Sequence, residues 1–165
     1  MNLDDLLWMD LTESEEGPDN VFADPDLLLE SSLVSVHVDA LSSQVALLID
    51  LRTCPSFGSA DTAVLLARGV TSTAWKAAQR STSFTAWTIL GFDVDEDDDE
   101  VTLHLACNPG ASLTVVATEA FFVTGVVPGI GAGQPDYGDA AAVVRAGVAH
   151  WHSPISVDEV QRLQL

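Results

Sequence analysis

Apolar and polar positions alternate along the middle of the chain with the period of two that is typical of β-strands. Seven strand-like runs, of which 33–39, 45–51 and 101–107 alternate clearly and 62–67 is apolar throughout most of its length, are separated by turn-forming segments. They cover residues 33–39, 45–51, 62–67, 84–94, 101–107, 113–116 and 119–127. The first two runs are joined by a short polar turn and predict a hairpin. Residues 70–83 are less regular and predict no defined element. The positions that we expect to be buried are Val34, Val36, Val38, Leu47, Ile49, Leu103, Leu105, Leu113 and Val115.

Two helices are predicted after the glycine- and proline-rich loop 128–138. Asp139 can cap a helix over residues 140–149. Ser156 and Glu159 have the spacing of a capping box, which predicts a C-terminal helix through Gln164. The expected fold class is therefore α+β: a mainly antiparallel, curved β-sheet of about six or seven strands with one or two helices, including the C-terminal one.

Residues 1–31 differ from the rest because they hold ten acids and no base. Trp8 and several leucines are interleaved with Asp4, Asp5 and Asp10, which predicts a short amphipathic helix over residues 4–11. Such a segment either docks on the protein's own sheet or is disordered until a partner binds. We favour docking, because Trp8 and the leucines need burial. The predicted organisation is an acidic N-terminal segment, 1–31, followed by a single β-rich domain, 32–165.

The charge balance limits the classes of partner. The chain has 25 acidic and 6 basic residues, with a formal net charge of −19. Phosphates carry the same sign, so direct binding to nucleic acid is not expected, whereas a basic protein would be attracted. Four of the six bases lie between residues 52 and 80, apart from the acids concentrated in 1–39 and 93–100. The alternatives are that the acidity only maintains solubility or reflects a salt-rich cytoplasm, and that the bases pair with the acidic N-terminal segment.

The densest acidic run has seven acids within residues 93–100. A calcium-binding loop would need oxygen ligands at alternating positions and a glycine at the sharp turn. This run lacks the glycine and lies between two predicted strands, so it is more typical of a solvated hairpin tip that prevents edge pairing.

No motif identifies a reaction. The glycine-rich residues 129–133 lack the Walker lysine and the βαβ context of a phosphate-binding loop, and no Gly-x-Ser-x-Gly elbow occurs. His150 and His152 would face one side of a strand and share a metal if His37, His104 or Cys107 converged on them. No motif fixes that convergence, so no cofactor, metal ligand or catalytic residue is assigned.

The sequence has few features that indicate a cellular compartment. Residues 1–30 contain no Lys or Arg, so no basic signal-peptide region is present, and no apolar run reaches the length of a membrane helix. The two cysteines, Cys54 and Cys107, are too few for a secreted disulfide scaffold, although a bridge between them stays open at this stage. We expect a cytoplasmic protein that does not bind membranes. The oligomeric state is left open.

Part of the chain resembles a group of small, acidic, β-rich bacterial proteins, many of which are predicted toxin-immunity proteins. The resemblance spans Val34 to Val127 and rests on the strand runs 34–39 and 45–51 and on the run 63–70, which Trp75 follows. It implies binding of a cognate toxin without catalysis. The acidic N-terminal segment and the residues after Pro128 have no counterpart in the group, and the group has no shared catalytic motif to transfer.

The functional expectation is a non-catalytic protein-binding module, such as an immunity-type inhibitor of a basic partner protein. Its carboxylates would steer the partner, and if the partner is a nuclease toxin they would occupy its phosphate-binding surface as a nucleic-acid mimic. The predicted partner-binding residues are Asp95, Glu96, Asp97, Asp98, Asp99, Glu100, Trp8, Asp4, Asp5 and Asp10. The alternative is a metal-dependent enzyme or metal-binding protein that uses the histidines.

Overall fold

The computed structural model describes residues 1–14, 19–80 and 82–165. Nine strands dominate it: β1 (Ser32–Asp39), β2 (Gln44–Asp50), β3 (Thr62–Arg68), β4 (Ser72–Ala77), β5 (Trp87–Glu96), β6 (Val101–Asn108), β7 (Ala111–Ala117), β8 (Glu119–Val126) and β9 (Ser156–Gln164). The helical elements in these ranges are a 3-10 helix, Leu3–Leu7, and one short α-helix, α1 (Ala141–Ala146). None of the described helices is long and apolar enough to cross a membrane.

The strands form one antiparallel sheet with the order β4-β7-β6-β5-β1-β2-β3-β8-β9. Its two parts join at only two residue pairs, Ser32 with Thr88 and Leu33 with Trp87. Beyond these pairs the sheet divides into a four-stranded half, β4-β7-β6-β5, and a five-stranded half, β1-β2-β3-β8-β9. The halves pack face to face, because one apolar cluster contains side chains from both.

The inner core lies between the two halves. Leu47, Ile49 and Leu65 of the five-stranded half meet Leu103, Leu105, Leu113 and Val115 of the four-stranded half. Most of these side chains line a void of only ≈ 10 Å³, which has no polar side chain to bind a water. Strands β6 and β7 alternate between buried and more exposed positions because their other face meets solvent.

A second core covers the outer face of the five-stranded half. Leu3, Leu6, Leu7 and Leu11 of the N-terminal segment pack there, together with apolar side chains from the region between β8 and β9. Strands β2, β3 and β8 are therefore buried on both faces, which explains why their sequences are almost continuously apolar.

Strand β9 corrects the predicted C-terminal helix. Residues 156–164 pair antiparallel with the whole of β8, from Glu119 with Gln164 to Val126 with Ser156. Without this pairing one backbone edge of β8 would be buried with unsatisfied hydrogen-bonding groups, so tertiary pairing overrides the local capping-box signal.

The fold class is corrected as well. The structure is nearly all β, not α+β, and it has nine strands where six or seven were expected. The two additional strands are β9 and β4, which lies in the unassigned region 70–83 and is exposed throughout. The antiparallel character was predicted correctly.

Candidate protein-binding surface

The turn between β5 and β6 carries the densest negative charge in the structure. We call its six residues the acidic tip: Asp95, Glu96, Asp97, Asp98, Asp99 and Glu100. All six are exposed. The turn is closed by the Asp97 N–H, which donates to the Glu100 carbonyl at 2.9 Å, and by the Asp98 N–H, which donates to Asp97 Oδ1 at 2.8 Å. Backbone bonding thus holds together carboxylates that repel one another.

The protein's own cations do not neutralise the acidic tip. Among the described residues its partners are His104, whose Nε2 lies 3.3 Å from Asp95 Oδ2, and Thr71, whose hydroxyl donates to Glu100 at 3.1 Å. Two guanidinium groups lie at this end of the sheet, but both are engaged elsewhere. Arg162 pairs with Glu119 at 2.9 Å, and Arg68 donates to the Met9 carbonyl at 2.7 Å.

The tip lines one open cleft, and a second open volume is lined by Thr71, the hydrogen-bond partner of Glu100. Asp98 and Asp99 face Glu119 and Arg162 across a cleft of ≈ 400 Å³. On another side, Thr71 and Asp39 line a groove of ≈ 240 Å³ between β1 and the start of β4. The pKa of the Asp39 carboxyl is lowered, first by the Ser42 side chain and then by the Leu41 backbone N–H, so the carboxylate that lines this groove is negatively charged at neutral pH.

The predicted N-terminal site residues lie apart from the acidic tip. Asp5 accepts a hydrogen bond from the Asn2 N–H at 2.8 Å, and Asp4 Oδ2 lies 2.9 Å from His152 Nδ1, on the outer layer. Trp8 is 62% exposed, and Asp10 is exposed next to the carbonyl that Arg68 binds. The leucines of this segment are buried, so its apolar side docks on the protein while Trp8 faces solvent.

The four histidines do not share one pocket. His104 lies on β6 beside Asp95, whereas His37 stacks on Trp151 with ring centroids 5.7 Å apart. His150 and His152 lie with ring centroids 6.5 Å apart. Within residues 1–14, 19–80 and 82–165, no group of three His, Cys, Asp or Glu side chains is placed to hold a metal ion. Cys54 and Cys107 are both free thiols.

Two exposed apolar side chains, Val38 on β1 and Trp75 on β4, were not predicted from the sequence. Val38 and Trp75 are 55% and 41% exposed, and Trp75 meets Trp87 edge to face at 5.5 Å. The alternation in β1 predicted Val38 to be buried, and the irregular region 70–83 gave no reason to assign Trp75. The detectable signal was a tryptophan in a segment that otherwise lacks apolar periodicity.

Comparison of the chain with protein-family models, with curated proteins and with solved structures found no match in any of the three.

Proposed function

We propose that this protein is a non-catalytic protein-binding module whose acidic tip docks a basic partner protein. The observation that carries the proposal is the set of six exposed carboxylates on one hairpin tip, with no ion pair to a described Lys or Arg. Carboxylates that lack internal counterions project a negative field into solvent. Such a field accelerates encounter with a positively charged surface.

The form of binding that we favour is immunity-type inhibition of a toxin. A hairpin tip closed by hydrogen bonds can present closely spaced negative charges to a phosphate-binding surface without being a substrate. If the partner is a nuclease, the tip would then act as a nucleic-acid mimic. Trp8 is a second candidate contact, because large exposed aromatic side chains are frequent anchors at protein interfaces.

The histidine-based alternative has less support, since the described residues contain no suitable trio of ligands. Elemental analysis of protein purified without a metal-affinity tag tests it directly. Stoichiometric zinc or calcium would replace the protein-binding proposal with a metal-binding one.

The main experiment begins with affinity capture of the partner from the native cell and continues with association kinetics on the purified pair. The test variant is Asp97→Asn/Asp98→Asn/Asp99→Asn. The control is Asp26→Asn/Asp139→Asn/Asp158→Asn, which removes the same charge from exposed sites away from the tip. We expect the tip variant to slow association about tenfold at low salt and to flatten its salt dependence, while the control has a much smaller effect.

The N-terminal contribution needs a gentler change than deletion, because removing residues 1–31 would uncover the outer core. Trp8→Ala alters an exposed side chain and keeps the buried leucines. If neither the tip variant nor Trp8→Ala changes association with the recovered partner, the acidic-docking proposal is wrong and the acidity serves solubility.

A further inference from the structure

Two strand edges in the structure have no backbone partner. Strand β1 pairs with β2 along its length but with β5 only at Ser32 and Leu33, so one edge of residues 34–39 is open. Strand β4 pairs with β7 on one side. Within the described ranges, no further strand or loop hydrogen-bonds to the other side of β4 or to the open edge of β1.

The two open edges face each other across a groove. Leu33, Val34, Ser35 and Val36 of β1 line ≈ 300 Å³ of it together with Trp75 and Trp87. Farther along, Val38 and Asp39 face Thr71, Ser72 and Thr73 across the ≈ 240 Å³ already described. Strands β1 and β4 contribute to both parts, together with Trp87 of β5 in the first part and the β1–β2 turn, the start of β2 and residues 70–71 in the second. Across the groove β1 and β4 run in opposite directions, because Trp75 lies opposite the start of β1 and Thr71 lies opposite its end.

The first part of the groove is mainly apolar, because Leu33, Val34, Val36, Trp75 and Trp87 line it. Val38 is 55% exposed and Trp75 is 41% exposed, although both lie on strands whose directly paired neighbours, Val45 and Leu113, are buried in the inner core. Exposed apolar side chains beside an open strand edge promote pairing with another chain.

The opposite edge of the sheet, strand β9, does have a hydrogen-bonding partner in the chain. Strand β9 is bordered by the N-terminal segment, where the Ser14 N–H donates to the Val160 carbonyl at 2.9 Å. The Val160 N–H in turn donates to Ser14 Oγ at 3.0 Å. The chain therefore protects β9 with its own residues and leaves the groove between β1 and β4 open.

The charged groups that we find at the groove are carboxylates, and they lie at one end of it. Asp39 lines its far end, and Glu100 of the acidic tip binds the hydroxyl of Thr71, which also lines it. No Lys or Arg occurs among the described residues that line either part of the groove. An occupant that is apolar near Trp75 and basic near Asp39 would complement both ends.

We propose that this groove binds an extended segment of a basic partner protein by strand addition to β1. The open edge 34–39 is about 20 Å of strand, and alternate residues along it direct their backbone N–H and C=O groups away from β2 and toward an added strand. Side chains on one face of the added strand would contact Val36, Val38 and Trp75, and a Lys or Arg would lie beside Asp39 and Glu100. Backbone bonds would supply affinity and the two ends of the groove would supply specificity. The inference rests on the proposed function in taking the occupant from a basic partner.

The test uses a defined probe: a fluorescein-labelled peptide of about eight residues that alternates valine and threonine and carries two arginines at one end. Both polarities are made, since either strand direction can pair with β1. Fluorescence anisotropy should show saturable binding of one polarity to the full-length protein. Trp75→Ala should weaken it at least about tenfold, and Asp39→Asn about threefold.

The controls separate strand addition from general adhesion. Leu90→Ala and Asp158→Asn remove an exposed apolar group and an exposed carboxylate outside the groove, so both should bind the probe like the wild type. A probe that is N-methylated at alternate amides keeps its side chains but loses backbone donors, and we expect it not to bind. Circular dichroism checks that each variant is folded.

Three outcomes would overturn the proposal. These are no binding of either polarity, binding that survives N-methylation, and dimerisation of the protein that Trp75→Ala abolishes, which would make a second copy the occupant. All groove variants retain the carboxylates at 97–99. If the probe does not bind but the partner still associates through the acidic tip, this inference is wrong and the proposed function stands.

Discussion

A single guanidinium group ties the loop after β8 to the end of β2. Arg52 is paired with Asp50, and both side chains are 3% exposed. The same guanidinium donates to the carbonyls of Ile130 and Gly133 at 2.7 Å each, and to that of Gly147 at 2.7 Å. A buried ion pair is costly to desolvate. Here Nε, Nη1 and Nη2 of Arg52 all donate hydrogen bonds, which offset that cost.

Arg52→Met should therefore lower the free energy of unfolding by about 3–5 kcal/mol, because Asp50 would be left as a buried, unpaired charge. Urea denaturation measures the change. Arg145→Met is the matched control, since Arg145 is exposed and lies over the Phe84 ring at 5.2 Å, a contact that contributes about 1 kcal/mol or less. The double variant Asp50→Asn/Arg52→Met should recover part of the loss. Equal stability of Arg52→Met and wild type would contradict this account.

The two thiols differ in burial, and we therefore expect them to differ in reactivity. Burial raises the pKa of the Cys107 thiol to about 11, so the thiolate is scarce at pH 8 as well as inaccessible. Cys54 is only partly buried, and its Sγ lies 3.1 Å from the Leu27 carbonyl. With iodoacetamide at pH 8, mass spectrometry should show Cys54 modified first and Cys107 modified only after urea is added. Simultaneous labelling of both cysteines in the native protein would show that the inner core opens.

At the scale of elements, period-two alternation predicted the buried face of most strands. Leu47, Ile49, Leu103, Leu105, Leu113 and Val115 are buried as expected. The prediction that Val38 is buried was wrong. Alternation indicates which face of the sheet a side chain is on, but it does not indicate that β5 stops pairing with β1 after Leu33. A bulge between Leu33 and Ser35 moves Val34 to the outer core, where it is partly buried. The alternation of apolar and polar residues therefore could not predict the candidate groove.

The C-terminal strand shows a second limit of local sequence. Val157, Val160 and Leu163 are three residues apart, which suits one face of a helix, and the capping box strengthens that interpretation. In the strand, Val160 faces the outer core and Leu163 packs on the inner core. Only the need of β8 for a partner distinguishes the two conformations, and that need arises from residues about 40 positions away.

Two bulge glycines provide a test of the β8–β9 pairing. A Cβ on Gly125 would overlap the Ser156 carbonyl oxygen and lie 2.9 Å from Ile155 Cγ1, whereas a Cβ on Gly91 would meet nothing within 4 Å. We expect Gly125→Ala to lower the free energy of unfolding by about 2 kcal/mol and Gly91→Ala to leave it unchanged or slightly raised. Chemical denaturation measures both. Equal effects would contradict the close approach of β9 at this bulge.

At the scale of the whole molecule, the charge of −19 opposes compaction. We expect the melting temperature to rise by several degrees as salt increases from about 20 mM to about 500 mM, because screening weakens repulsion among exposed carboxylates. The rise should be smaller in Asp97→Asn/Asp98→Asn/Asp99→Asn, since the acidic tip concentrates the repulsion. Calorimetry at several salt concentrations measures it. A melting temperature independent of salt would show that the repulsion is already balanced.

The contact of the N-terminal segment with β9 has a consequence for biosynthesis. Leu3 bonds to Ser153, and Ser14 bonds to Val160, so residues made first meet partners made more than 140 positions later. While the chain emerges from the ribosome, the N-terminal segment lacks its hydrogen-bond partners Ser153 and Val160, so nothing fixes its leucines on the outer face of β3 and β8. The outer layer is therefore assembled last, and the interval before β9 is synthesised is when a nascent chain is most exposed to aggregation and most dependent on chaperones.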